Sequence, residues 1–220
     1  MRVYGEEMEC LSIDLETRHV PFSEGLALQR SIHAAVASQS TPASLIMLQH
    51  EPVYTAGRRT RAAERPAHLN VEDVDRGGKI TWHGPGQLVV YPIVPLPAPL
   101  DVVKYVRQLE RAVIDLCEDL SVAAHTVNGR SGVWVDSPLP GIENKVCAIG
   151  VRVAQGVTMH GLALNCSNSL EPYSHIVACG IADAGVTTLS LQAGRTITVQ
   201  ECAPRLMHHL ELRLKEIGIV

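Results

Sequence analysis

Two residues of this 220-residue chain have types that together support nucleophilic acyl chemistry: Cys179 and Lys145. A cysteine thiol is mostly protonated at neutral pH. A nearby ammonium favours the thiolate, which attacks a thioester and holds the acyl group as a new thioester. Cys179 lies in His175-Ile176-Val177-Ala178-Cys179-Gly180-Ile181, an apolar segment closed by glycine. Lys145, one of only four lysines, opens the strand-like run Lys145-Val146-Cys147-Ala148-Ile149-Gly150-Val151-Arg152-Val153. Between the two lies Met159-His160-Gly161-Leu162-Ala163-Leu164-Asn165. Cys147 competes for the same role, because residues two apart on a strand share a face and Lys145 would stand beside it. Its neighbours Val146, Ala148 and Ile149 favour a packed core thiol instead. Cys10, Cys117, Cys166 and Cys202 read as small buried hydrophobes or structural residues.

The densest motif is Arg76-Gly77-Gly78-Lys79-Ile80-Thr81-Trp82-His83-Gly84-Pro85-Gly86-Gln87. Its glycines let backbone approach a ligand closely. The Gly-Lys-Ser/Thr ending of a phosphate loop is missing, so nucleotide binding of that kind is not indicated. Gly84-Pro85-Gly86 predicts a tight turn beside a pocket, against the plain alternative of an ordinary hairpin. Ten histidines raise the question of a metal. His208 and His209 are adjacent in the last helix, and His50, His83, His160 and His175 are scattered, with no His-x-x-x-His pair. No metal site is expected, and His83 and His160 suit pocket lining better.

Composition narrows the class. Hydrophobic residues make up 46% of the chain and aromatics 4%, so the core must be built from Val, Leu, Ile and Ala. The formal net charge of -4 argues against a nucleic-acid or membrane partner. Arg58, Arg59, Arg61 and Arg65 form a local basic stretch, read either as a solvated loop or as a dock for an acidic partner. The polar opening Met1–Glu7 does not read as a leader, no Cys-x-x-Cys occurs, and no apolar run approaches a membrane span, so a reduced cytoplasmic protein of one domain over residues 1–220 is expected.

The elements that must position these residues follow from periodicity. Leu11–Leu15 alternates as a half-buried strand, and Ser44–Gln49 reads as a buried one. Ser23 is expected to cap a helix running to Ser38. Loop signals dominate from Glu51 to Gly78. Leu88–Val94 is a strand whose Pro92 predicts an edge or a bulge. Asp101 caps a helix to Leu120 with an apolar stripe of Val102, Val106, Leu109, Val113, Leu116 and Leu120. Strands are expected over Gly132–Val135, Lys145–Val153 and Gly156–Asn165. Thr198 and Glu201 form a capping box that opens a last helix to about Ile217. The whole reads as an α/β or α+β chain with a mixed sheet.

Taken together, Arg76–Gln87, Lys145–Gly150 with His160–Asn165, Ala178-Cys179-Gly180 and Glu51–Gly57 closely resemble the octanoyl-[acyl-carrier-protein]:protein octanoyltransferases, also called lipoyl(octanoyl) transferases. Gly57-Arg58-Arg59-Thr60 and Gly129-Arg130-Ser131-Gly132-Val133-Trp134 resemble the actinobacterial branch. The resemblance spans about residues 10 to 210. It implies the fold of biotin and lipoate ligases: a mixed sheet flanked by helices, with a smaller second sheet. It implies Cys179 as nucleophile and Lys145 as the lysine that lowers its pKa. It implies substrate binding by Arg76, Gly77, Gly78, Lys79, Ile80, Thr81, Trp82 and His83, by Ala148, Ile149 and Gly150, and by Gly161, Leu162 and Ala163, with His160 in support. Two positions depart from the family pattern. Ala178 stands where many relatives have proline, and Trp82 where tyrosine is common, so a larger apolar wall on the acyl tunnel is expected.

The implied partners are an octanoylated acyl carrier protein as donor, with lipoyl domains of 2-oxoacid dehydrogenase complexes and the glycine cleavage H protein as acceptors. No cofactor is implied, neither ATP nor metal, and phosphopantetheine arrives on the carrier. Three other readings stay open. One is an ATP-dependent lipoate or octanoate ligase on the same fold, the second an amidotransferase moving octanoyl between protein lysines, and the third a carrier-binding module without turnover.

Overall fold

The computed structural model describes residues 8–139, 141–176 and 184–219. A large mixed sheet carries the strand order β1 (Glu9–Ser12), β3 (Ser44–His50), β7 (Gln87–Ile93), β11 (Val157–Asn165), β10 (Glu143–Ala154), β9 (Arg130–Asp136), β8 (His125–Val127). Two short strands join it: β2 (His19–Val20) runs parallel to β3, and β12 (Ala184–Val186) runs parallel to β10. Helices α2 (Val102–Asp119) and α4 (Val199–Lys215) cover one face, where Leu109, Val113, Leu116, Leu206 and Leu210 pack on Leu88, Val90, Leu162 and Leu164. Helix α1 (Phe22–Ala37) covers the other face, over Ile46, Leu48, Val89 and Ala163. A second, three-stranded sheet has the order β5 (Val71–Asp73), β4 (Val53–Ala56), β6 (Ile80–His83). A short helix α3 (Leu189–Ala193) precedes α4.

The long elements follow the sequence pattern. Asp101 caps α2 by accepting from the Lys104 N–H at 2.8 Å. In the predicted stripe, Leu109, Val113, Leu116 and Leu120 are buried, while Val102 is exposed at the first turn. Thr198 caps α4 by accepting from the Glu201 N–H at 3.2 Å. Only half of the capping box forms, because the Glu201 carboxylate takes the Arg195 guanidinium instead. Helix α1 starts one residue before the expected Ser23 cap. Pro21 holds the entry with φ −52 and supplies no side-chain cap.

Three expectations change. β1 is an exposed edge strand rather than a half-buried one. The Glu51–Gly78 stretch contains two strands, β4 and β5, too short to show a period and held by pairing with β6 and with each other. β7 is an interior strand despite Pro92, flanked by β3 and β11. The missing N–H is tolerated because β11 departs from regular pairing there. His160 adopts φ +58 and gives its N–H to Gln29 Oε1 at 2.9 Å. Thr158 Oγ1 donates to the Pro92 carbonyl at 2.6 Å.

Candidate active site

The small sheet lies against the α1 face of the large one and encloses a cavity of about 220 Å³. Its floor comes from adjoining strands at paired positions. Ala148 faces Ala163 across β10 and β11, Gly150 faces Gly161, and Ala163 in turn faces Val89 of β7. Small side chains at these positions leave depth above the sheet. The Gly77 N–H donates to the Val151 carbonyl at 2.9 Å and docks the loop before β6 onto β10. A Cβ on Gly150 would stand 2.8 Å from the Gly77 carbonyl oxygen, so the close approach of loop and strand requires glycine there.

Of the predicted substrate-binding residues, Arg76, Gly78, Lys79, Thr81, His83, Ala148, Ile149, Gly150, Gly161, Leu162 and Ala163 line this cavity, as do Lys145 and His160. Gly77, Ile80 and Trp82 do not. On β6 the alternation of a strand turns Thr81 and His83 inward, and Ile80 and Trp82 the other way. Trp82 therefore does not wall a tunnel. Its ring meets Tyr173 edge-on at 5.8 Å and covers Gly84, where a Cβ would fall 2.2 Å from the indole. Sequence reasoning missed Phe22, Arg59, Val89, Tyr91, Gly129, Arg130 and Ser131, which also line the cavity. The Gly129–Trp134 motif carried a usable signal for three of these. Phe22 and Tyr91 had none, since only the stacking of α1 and β7 on one face brings them in.

The polar groups of the wall form a connected network. Arg76 donates to the carbonyls of Gly77, Lys79 and Thr55 and to Thr55 Oγ1, at 2.9–3.0 Å. It thereby ties β4 to the turn before β6. His83 Nδ1 meets Gln87 Oε1 at 2.8 Å, and burial pushes its pKa down to about 3. His50 gives its Nδ1–H to the Val20 carbonyl at 2.8 Å, so its Nε2 accepts from the Tyr91 hydroxyl at 2.7 Å. Burial lowers its pKa to about 4. Both rings are therefore neutral at physiological pH. His160 Nε2 lies 2.7 Å from Asp75 Oδ1, yet burial still holds its pKa below the usual value.

Lys145 is only 7% exposed. Its Nζ donates to the Ser131 carbonyl at 3.1 Å and stands 4.4 Å from the centroid of the Trp134 ring. Cys147 does not share its surroundings. The pairing of β10 with β9 slips between Lys145 and Cys147, and Cys147 is fully buried in the core under α2 and α4. Burial raises its thiol pKa far above the ordinary value. Cys179 lies outside the described residues, as do Ala178 and Gly180. The described chain on either side is Ile176 and Ala184, and Ala184 pairs with Glu143, two residues before Lys145.

Within the expected basic stretch Arg65 is matched by acid, as is Lys79 beyond it. Arg65 pairs with Asp73 and Lys79 with Glu64, whereas Arg59 lines the cavity. One group with metal-ligand types does converge: His125, Asp136 and Glu143, with ligand atoms within 4.8 Å of one another. It lies on strands β8 to β10 outside the cavity lining, with Asp136 91% exposed, and it has the form of a surface ion pair. Among the described residues no helix is long and apolar enough to cross a membrane.

Residues 21–211 match the model of the lipoyl protein ligase A/B catalytic domain. The chain is 54% identical over 198 residues to the octanoyltransferase of Leifsonia xyli subsp. xyli, covering 90% of this chain and 88% of that one. The chain belongs to this family, in its octanoyltransferase branch. As a member of that branch it is an acyltransferase. Similar octanoyltransferases come from Clavibacter michiganensis subsp. michiganensis, 54% identical over 208 residues (93% and 89% covered), and from Thermobifida fusca, 52% identical over 198 residues (87% and 83% covered). Two solved structures show the fold. A bi-partite lipoate protein ligase from Thermoplasma acidophilum has a TM-score of 0.68 at 16% identity, with 95% of this chain and 85% of that chain covered. The biotin protein ligase of Aquifex aeolicus has 0.56 at 11%, with 96% and 70% covered. The mixed sheet with helices and a smaller second sheet is thus the biotin/lipoate ligase-like fold that the sequence led us to expect in this octanoyltransferase.

Proposed function

We propose that the chain transfers an octanoyl group from the phosphopantetheine thiol of an acyl carrier protein to a lysine of a lipoyl domain, through an octanoyl thioester on Cys179. The observation that carries this reading is Lys145: a nearly buried ammonium at the wall of a cavity floored by Ala148, Ala163 and Val89. An apolar slot beside a cation suits a fatty chain whose reacting carbonyl develops negative charge. The names of the relatives agree with the octanoyl group.

In the first step the Cys179 thiolate attacks the thioester carbonyl carbon. The new C–S bond forms, the tetrahedral oxyanion collapses, and the carrier leaves as a thiolate that takes up a proton. In the second step the neutral amine of the acceptor lysine attacks the octanoyl-Cys179 thioester. The amide bond forms, the Cys179 thiolate is released, and the amine's surplus proton passes to a base. Lys145 serves both steps, as the charge that favours the thiolate and as the relay for these protons. Thioester exchange is close to balanced and amide formation runs downhill, so neither ATP nor metal is required. Arg58 and Arg59 offer positive charge to an acidic carrier. The acceptors are lipoyl domains of 2-oxoacid dehydrogenase complexes and the glycine cleavage H protein. One catalytic domain carries the whole reaction, in the cytoplasm. The five described cysteines, all free, agree with a reducing compartment.

Intact-mass analysis tests the reading. Mixed with octanoyl-carrier, the protein gains one octanoyl mass, labile to hydroxylamine, and Cys179→Ser abolishes it. An adduct that survives in Cys179→Ser, or product formed only when ATP and free octanoate are supplied, would overturn it. Lys145→Arg keeps the charge but slows transfer, because arginine does not shuttle protons at neutral pH.

A further inference from the structure

We infer that Trp134 is a positioning residue for Lys145: its indole face holds the lysine ammonium in place at the cavity wall. This rests on the role proposed above for Lys145.

The strand register supports it first. Lys145 and Trp134 are direct cross-strand partners on β10 and β9, so their side chains leave the sheet on one face. The pairing slips immediately afterwards, which separates this pair from the core register that carries Cys147. Gly132 supplies the path. A Cβ there would stand 3.3 Å from Lys145 Cε and 3.5 Å from Cδ, so the lysine stem runs across the glycine. Gly132 holds φ +114, and its N–H is fixed by Glu110 Oε1 at 2.9 Å. At the end of this path Nζ has the Ser131 carbonyl at 3.1 Å and the Trp134 ring at 4.4 Å.

A fully buried aromatic face at that distance attracts the ammonium through the ring quadrupole and fixes its place. Phenylalanine would fill much of the space, but indole presents the strongest face; the Trp134 Nε1 finds no acceptor among the described residues. Other charged or titratable groups of the described residues stand around the pair. Arg130 Cζ lies 5.9 Å from the same ring. Glu110 from α2 is engaged by Gly132 and Arg107. His125, opposite Trp134 on β8, is bonded to Glu143 of β10 at 3.0 Å. The described part of β12 carries no titratable side chain. Among the described residues, the Ser131 carbonyl and the Trp134 ring are the groups that the Lys145 ammonium meets.

The test replaces Trp134 alone with 5-fluoro-, difluoro- and tetrafluorotryptophan in the full-length protein. These keep ring size while progressively draining the π face. Octanoyl transfer is followed against pH with octanoyl-carrier and a lipoyl domain. The expected result is a graded fall in kcat across the series, about threefold to thirtyfold, with KM for the carrier unchanged. Trp134→Phe falls within the series and Trp134→Leu beyond its end, with thermal melts separating misfolding from function. A fluorinated series with superimposable kcat at every pH overturns the inference, whatever Trp134→Leu does. Lys145→Met run in parallel separates the two claims. If that variant transfers octanoyl at the parental rate, the role of Lys145 itself fails. If it is inactive while the fluorinated series is flat, only the role of Trp134 fails.

Discussion

Ala163→Leu should convert the enzyme into one that prefers short acyl groups. Ala163 lies on the cavity floor at 4% exposure, between its strand partners Ala148 and Val89. The leucine adds three carbons to a cavity of about 220 Å³. Each excluded methylene of the substrate forfeits about 0.8 kcal/mol, so three forfeit about 2.4 kcal/mol, or roughly 60-fold in kcat/KM for octanoyl. Butyryl transfer changes little, because its chain ends before the intrusion. The assay compares kcat/KM for butyryl, hexanoyl, octanoyl and decanoyl donors on the same carrier, with a lipoyl domain as acceptor. Overpacking costs about 1–3 kcal/mol of stability, so a thermal melt must accompany the kinetics. If the folded variant keeps the parental ratio of octanoyl to butyryl, the chain does not lie over Ala163, and the cavity is not the acyl site.

Cys147→Ala should leave octanoyl transfer near the parental rate and lower stability by about 1 kcal/mol, because this thiol packs in the core; inactivation without unfolding would contradict that placement. Arg76→Lys should destabilise the protein by about 2 kcal/mol in urea melts, since a single ammonium does not satisfy the acceptors on Gly77, Lys79 and Thr55; an unchanged midpoint would show that the guanidinium bonds are dispensable. His50 has its pKa lowered to about 4 by burial, so the unfolded chain binds its proton first and the protein loses stability as pH falls from about 6.5 towards 4. Between about pH 7.5 and pH 5 the loss from His50 is roughly 2 kcal/mol, and His50→Gln should reduce the slope by that share while the similarly lowered His83 keeps its own; an unchanged slope in the variant would refute the assignment.

The legible parts of the fold were those with a period long enough to read. α2, α4, β10 and β11 each span nine residues or more, and their apolar spacing marks them. β4 and β5 have four and three residues among prolines and glycines, and exist through pairing with distant β6 and with one another. Pro92 misled for a related reason. Whether a proline is tolerated inside a sheet depends on what the neighbouring strand does, and β11 breaks its pattern opposite it by placing His160 at φ +58.

By itself the sequence determined the chemistry on offer: a thiol and a scarce lysine for acyl exchange, with residues 76–83, 148–150 and 161–163 assigned to the substrate by family resemblance, on strands whose two faces alternate. Tertiary structure decided which of those faces looks into the cavity. Periodicity separates two faces of a strand but does not orient them, because orientation depends on which neighbouring sheet or helix each face packs against. For that reason Trp82 packs on Tyr173 outside the slot, while Phe22 and Tyr91, silent as sequence, stand beside His83 and His160 in the cavity.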